Sequence, residues 1–439
     1  MPLGACRLKR SVFVLVVLQL AALGLISCGG RAKSKSPSGY LNRVLASQGI
    51  SSATARPGLV IIDAYYNVIP SVAPIGAGSA PGLMVISPAR NIVAAFDASS
   101  NAVYGVDTVK EADIGSVHLS GPTTSMVVPT STSIGYAAVP TAAIQGFAFT
   151  GAVQVMNFAG QGLTTSITVP GAQTVISNSN GTQLLVFSND SNSVTVLRPG
   201  AAVPPVDTSC LTNPPNAVCT IVPGFDRPVY GIVNGNTAYI LNCGPECGGV
   251  QASVMTFDLP SLTITSTIPV DAATWAVLGG STLYVAGTSP TNHACSGQTA
   301  ATSCGRLDVV DLSSRTVTAR AVITDGYHWR MDLTNNNQIF IGSYNCTNVG
   351  NSNNPNGEVR GCLSIYKIAT NSVVVPPVNG DVGGLQGFTS RYYEYVAQNG
   401  KLWVYDTTRD ILYINPDLLP QGTINVVGYV EDVKAIDFF

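Results

Sequence analysis

Only three histidines occur in the chain, His118, His293 and His328. The last stands in company that could do chemistry, the stretch "DGYHWRMD" at residues 325–332. If this is a strand, alternation puts His328, Arg330 and Asp332 on one side and Tyr327, Trp329 and Met331 on the other. A histidine beside an aspartate makes an acid–base pair, and an arginine can hold a carboxylate through two parallel hydrogen bonds. The competing reading is a tryptophan packed between sheets, its neighbours paired structurally. Trp275 and Tyr230 stand at comparable points of neighbouring segments, so an aromatic-lined mouth is the expectation there. Arg391, in "SRYYEYV", shares a side with Tyr393 and Tyr395 and reads as rim or packing.

The rest of the catalytic inventory is thin. No H-E-x-x-H pair, G-x-S-x-G elbow or EF-hand loop can be written. "GAGSAPG", residues 76–82, carries Pro81 where a dinucleotide loop needs its third glycine. No cofactor site and no metal site is assigned. "CGPEC" is a C-x₃-C with further cysteines and His293 downstream, but structural zinc favours tighter couples. Asp63, Asp97, Asp258 and Asp311 recur at strand ends. Recurrence in a repeat points to turn capping rather than catalysis.

The elements that must position these residues are strands. Apolar residues make up 46% of the 439 and charged residues 10%, so the core is ample and the surface is wetted by Ser, Thr, Asn and backbone. A net charge of −2 offers no footprint for nucleic acid. One unit recurs: a short apolar strand, a polar loop, a second strand ending in Asp or Asn, a turn, and a third strand rich in Thr, Val and Ile. "LMVISPARNIVAAFDASSNAVYGVDTV" at residues 83–109 and "GKLWVYDTTRDILYINPD" at residues 400–417 are two copies. A preceding strand completes four, at 172–177, 229–233, 274–278, 329–333 and 387–396. The period is about fifty residues, which means a solenoid, a propeller or an array.

Four strands per unit select the β-propeller, because one blade cannot cover both of its faces and a ring lets each cover the next. A tandem array of sandwiches would need ~100 residues per module. The fold class is therefore all-β, a single propeller of four-stranded antiparallel blades over residues 41–439. Eight units are counted; seven is the alternative if residues 129–171 form no separate blade. The first unit, residues 43–72, lacks its own first strand, and "DVKAIDFF", residues 432–439, is a spare one. The C-terminal strand is expected to close the ring inside the N-terminal blade.

The N-terminus gives an address. Arg7, Lys9 and Arg10 precede an apolar run, residues 11–25, that is short for a membrane span and fits a signal peptide. It ends in "LISC", which resembles the bacterial lipobox. That resemblance implies cleavage after residue 27, lipidation of Cys28 and a membrane anchor. Gly29 after the cysteine implies the outer membrane of a bacterial envelope, facing the periplasm or the cell surface. Residues 28–40 read as a lipidated flexible tether reaching about 40 Å. Cys6 leaves with the signal and Cys28 takes the lipid. Eight cysteines of the ten remain, and an even count in an exported chain favours disulfides. They fall into the local couples Cys210–Cys219, Cys243–Cys247, Cys295–Cys304 and Cys346–Cys362.

"VFSNDSNSVTVL", residues 186–197, resembles the YVTN-type β-propeller repeat, and "LYVAG" at 283–287 and "VVDLSSRTV" at 309–317 are similar. The likeness spans most of residues 41–439 but is degenerate: one unit carries most of the hallmark. It implies a propeller with ligand-facing loops, in a family holding lactonase-like enzymes beside surface and binding proteins. The preferred function is a lipid-anchored binding or scaffold module, using one face and the channel mouth for an unknown protein, glycan or small-molecule ligand. The alternative is a lactonase-like or carbohydrate-active hydrolase centred on His328, Arg330 and Asp332. A quinoprotein ranks third.

Overall fold

The computed structural model describes residues 36–49, 57–212, 214–289, 304–346, 361–376, 378, 380–388, 392–408 and 422–437. Cys28, Cys295 and Arg391 lie outside these residues. Residues 41–437 form a ring of eight sheets.

Two-sided burial explains why strand after strand is apolar at every position rather than at alternate ones. Arg43–Gln48 is buried throughout: Val44 and Ala46 pack towards the eighth blade, and Leu45 packs towards the second. In Leu184–Ser188, Leu184 and Val186 face the third blade while Leu185 and Phe187 face the fifth. One apolar cluster fills each of the eight seams between neighbouring blades. The cluster of Val44, Val60, Tyr395 and Val404 belongs to the seam that joins the last blade to the first.

The second blade spans 81–118, and the fourth to eighth span 172–223, 228–269, 275–323, 327–374 and 382–424, each with four antiparallel strands. The doubtful unit forms a blade of its own, 125–168, so the count is eight and not seven. It gains a fifth strand, Val206–Asp207, which lies parallel to Gly162–Thr168. Closure follows the expected route. Val433–Ala435 pairs antiparallel with Arg43–Gln48, Val44 opposite Ala435, and so supplies the innermost strand of the first blade. Gly58–Asp63 pairs with the other edge of Arg43–Gln48, and two isolated bridges, Leu59 to Ile75 and Asp63 to Val68, stand where the fourth strand would be. Arg43 locks the join: its guanidinium meets Asp437 at 2.7 Å and Glu111 of the second blade at 2.6 Å.

One inner strand differs from expectation. Residues 387–396 straddle a turn, and the innermost strand of the eighth blade is Val382–Phe388. Its "VGGLQGF" reads weakly as a strand because glycine has no side chain to pack. The glycines serve a close approach instead: a Cβ on Gly383 or Gly384 would collide with Glu431 or Asp432 beside the closing strand.

Candidate ligand-binding site

Inner strands enter the ring at one face, and the second-to-third-strand connections return to that face. Residues from both surround a cavity of about 540 Å³ at the mouth of the central channel. Trp275 opens the inner strand Trp275–Gly279 of the sixth blade, and Tyr327, Trp329 and Arg330 lie at the start of Tyr327–Leu333 in the seventh. Glu431 and Asp432 precede the closing strand.

The aromatic groups form a stack around one cation. Tyr230 lies on Trp275 with ring centres 3.8 Å apart and planes 15° from parallel. The Arg330 guanidinium sits 5.5 Å from the Trp275 ring and 4.0 Å from the Trp329 ring. Trp329 is fixed by donating Nε1–H to the Val382 carbonyl at 2.8 Å, and Tyr344 meets it edge-on. Stacking on both indoles holds the guanidinium where little water reaches, and burial lowers its pKa.

The alternation expected for residues 327–333 fails at Trp329. Pairing with the neighbouring strand shifts there, with His328 opposite Ser343 and Arg330 opposite Gly342. Tyr327, Trp329 and Arg330 all line the cavity, and the irregularity takes His328 out of phase with Arg330 and Asp332, which keep the same side of the strand. His328 is fully buried and outside the cavity lining. Its Nε2 lies 2.9 Å from the Thr324 carbonyl, its Nδ1 has no partner among the described residues, and burial holds its pKa down to about 4. Asp332 accepts backbone N–H bonds from Gly387 and Leu333. Its side-chain neighbour is Glu394, not His328. Glu394 is fully buried, and burial together with the Asp332 charge raises its pKa well above the usual carboxylate range. The two acids lie close together inside the protein, away from the cavity lining, and His328 is not paired with Asp332.

Three disulfides stand among the described residues: Cys210–Cys219, Cys243–Cys247 and Cys346–Cys362. The couple Cys295–Cys304 includes a residue outside them. Within the short loop, Gly244–Cys247 forms a 3₁₀ turn that carries Glu246 across to the sixth blade. There Glu246 accepts a bond from the Thr288 backbone N–H at 2.8 Å, and burial pushes its pKa up to about 8. A second cavity of about 350 Å³ adjoins the mouth, sharing Gln173, Thr174, Tyr327 and Tyr344 with it and reaching Cys247 and Arg227. Among the described residues no group of three His, Cys, Asp or Glu is placed to hold a metal ion.

Of the residues singled out in the sequence, Trp275, Trp329 and Arg330 line the cavity and Tyr230 stacks behind Trp275; Tyr344, Glu431 and Asp432 line it without having been singled out. A signal existed for the last two. They precede the closing strand at the point where Trp275 and Tyr327 begin theirs, so the repeat register alone locates them.

No protein-family model matches the sequence, and no curated protein matches it. Solved structures share the fold. The computationally designed Ika8 protein superposes with a TM-score of 0.52 at 9% identity, over 83% of this chain and 96% of that one. The dihydro-heme d1 dehydrogenase NirN, solved in complex with DHE, gives 0.59 at 12% identity, over 94% and 78%. At such identities the likeness is one of fold.

Proposed function

We propose that this chain is a binding propeller, taking a ligand in the mouth cavity and presenting the disulfide-closed loops beside it as a recognition surface. The observation that carries this is the cavity itself. About 540 Å³ is lined by aromatic rings around one cation, within the ~300–1,000 Å³ typical of small-molecule sites. The hydrolase reading rested on His328 beside Asp332, and the burial of that histidine removes its motive. NirN, a structure of similar fold, was solved holding DHE, which is a ligand-binding use of like architecture. The repeat "VFSNDSNSVTVL" supports placing the chain with the YVTN-type propellers. The basic n-region, apolar run and "LISC" support export and lipid attachment at Cys28, with the propeller held at the outer membrane of a bacterial envelope.

The test is a ligand screen on the full chain in mild detergent, over envelope glycans and small ring compounds, read by tryptophan fluorescence and melting temperature. At least one class is expected to quench fluorescence and raise the melting midpoint, and Trp275→Ala to abolish both effects. A screen in which no response depends on Trp275 contradicts the proposal.

A further inference from the structure

Resting on the reading of the mouth cavity as a ligand site, the chemistry of its walls narrows what fits. Among the described lining residues one is cationic, Arg330, and three are acidic, Asp381, Glu431 and Asp432. Two of the acids are already engaged. Asp381 accepts the Asn345 backbone N–H at 2.8 Å. Asp432 accepts the backbone N–H groups of Met84 and Val433, each at 2.7 Å, and the Lys434 ammonium at 2.8 Å. Burial, and then the Asp432 charge, raise the pKa of Glu431, so its carboxyl resists ionising.

Arg330 is different. Its Nη1 donates to the Trp329 carbonyl at 2.8 Å, and it has no ion-pair partner among the described residues. Its guanidinium carbon lies 4.0 Å from the Trp329 ring centre and 5.5 Å from that of Trp275. Its further N–H donors form the fork that matches a planar acid group. Burial of the guanidinium makes a hydrogen bond to it stronger than one made in water.

The geometry points to a small monoanion: a ring with a face that packs on aromatic side chains, bearing one carboxylate or sulfonate that docks on the N–H donors of Arg330. A second negative charge would face Asp381 and Asp432, with no further cation among the described lining residues to meet it. Phe96, Tyr327, Tyr344 and Tyr429 also line the cavity, and their rings offer faces against which a ring can pack.

Two probes of one shape separate this inference from the reading beneath it. 8-Anilinonaphthalene-1-sulfonate is a monoanion, and N-phenyl-1-naphthylamine has the same ring body without charge. Trp275 and Trp329 are two of the chain's three tryptophans, so energy transfer from tryptophan to probe reports binding at the mouth. With the full chain in mild detergent, the anionic probe is expected to bind at least about tenfold tighter than the neutral one, as a charged hydrogen bond supplies. Arg330→Gln should erase that preference, while Trp275→Ala should weaken the binding of both probes. Equal binding of the two probes, both dependent on Trp275, overturns the monoanion and leaves the ligand site standing. Binding of neither through Trp275 overturns the site as well. Should Arg330→Gln fail to fold, the unaltered chain still decides: 2-naphthoate is expected to displace the neutral probe at concentrations where 2-naphthalenemethanol does not. The opposite order contradicts the inference.

Discussion

Two buried ionisable side chains set opposite pH limits on stability. His328 has its pKa held down to about 4 by burial, against 6.5 for a free ring. Its contribution is whole above the unfolded value and is lost as pH falls through the folded one. Glu394 is shifted the other way, raised well above 4.5 by burial and by the Asp332 charge. Its contribution is whole below that unfolded value and is lost as pH climbs towards the folded one. Thermal melts across pH are therefore expected to peak in between. Glu394→Gln should raise the melting midpoint at about pH 8, by an amount equivalent to ~1–2 kcal/mol, with little change at about pH 4. A Glu394→Gln midpoint that stays parallel to the unaltered chain at every pH contradicts the buried carboxyl pair. Neither residue's environment was legible in the sequence. The stretch around His328 looks like a regular strand, and the irregularity at Trp329 that moves the histidine off the mouth has no marker in residue type. Glu394 sits in "YYEYV", where alternation alone does not say which blade covers it. The aromatic residues were legible because size and position at strand starts both point to the mouth.

Turns and loops carry the next level of order, and here residue type was informative. All four acids expected to cap turns do so. Asp63, Asp97, Asp258 and Asp311 accept backbone N–H groups two or three residues ahead, at 2.9, 3.0, 2.9 and 2.7 Å. Short polar side chains do this wherever a hairpin turns, so repetition was the sufficient clue. The three cysteine couples among the described residues are local for a similar reason, since each closes the loop it flanks. In the chain-entropy model, stabilisation grows with the length enclosed. Cys243 and Cys247 are separated by 4 residues and Cys346 and Cys362 by 16. Replacing the first couple with serine should cost about 2 kcal/mol and the second about 3 kcal/mol, measured by denaturant unfolding under oxidising conditions. The reverse order, or no cost from either, contradicts the assigned loops. The strand Val382–Phe388 escaped sequence reading because its glycines answer to a neighbour about fifty residues away, the run before the closing strand, and not to local propensity.

For the propeller as a whole, the decisive feature is that the seam between last and first blades is filled like the other seven. Tyr395, Leu402 and Val404 of the eighth blade pack on Val44, Val60 and Ile62 of the first, with Val433 and Ala435 between. The number of blades and the route of closure were legible because a missing strand at one end and a spare one at the other are complementary. The mouth and its arginine depend on that join. Val44 and Ala435 face each other, and the hydrogen bonds at Arg43–Ile436 and Ser47–Asp432 make theirs a non-hydrogen-bonded pair. Such pairs bring Cα atoms to about 4.5 Å, within disulfide reach. The most direct measurement is thus the oxidation state of a Val44→Cys, Ala435→Cys double variant of the full chain, mapped by mass spectrometry of non-reduced peptides. A closed ring predicts a peptide joining the two segments, and protection of both thiols from alkylation in either single variant. Two thiols that alkylate freely in the folded double variant, with no joined peptide, contradict the ring.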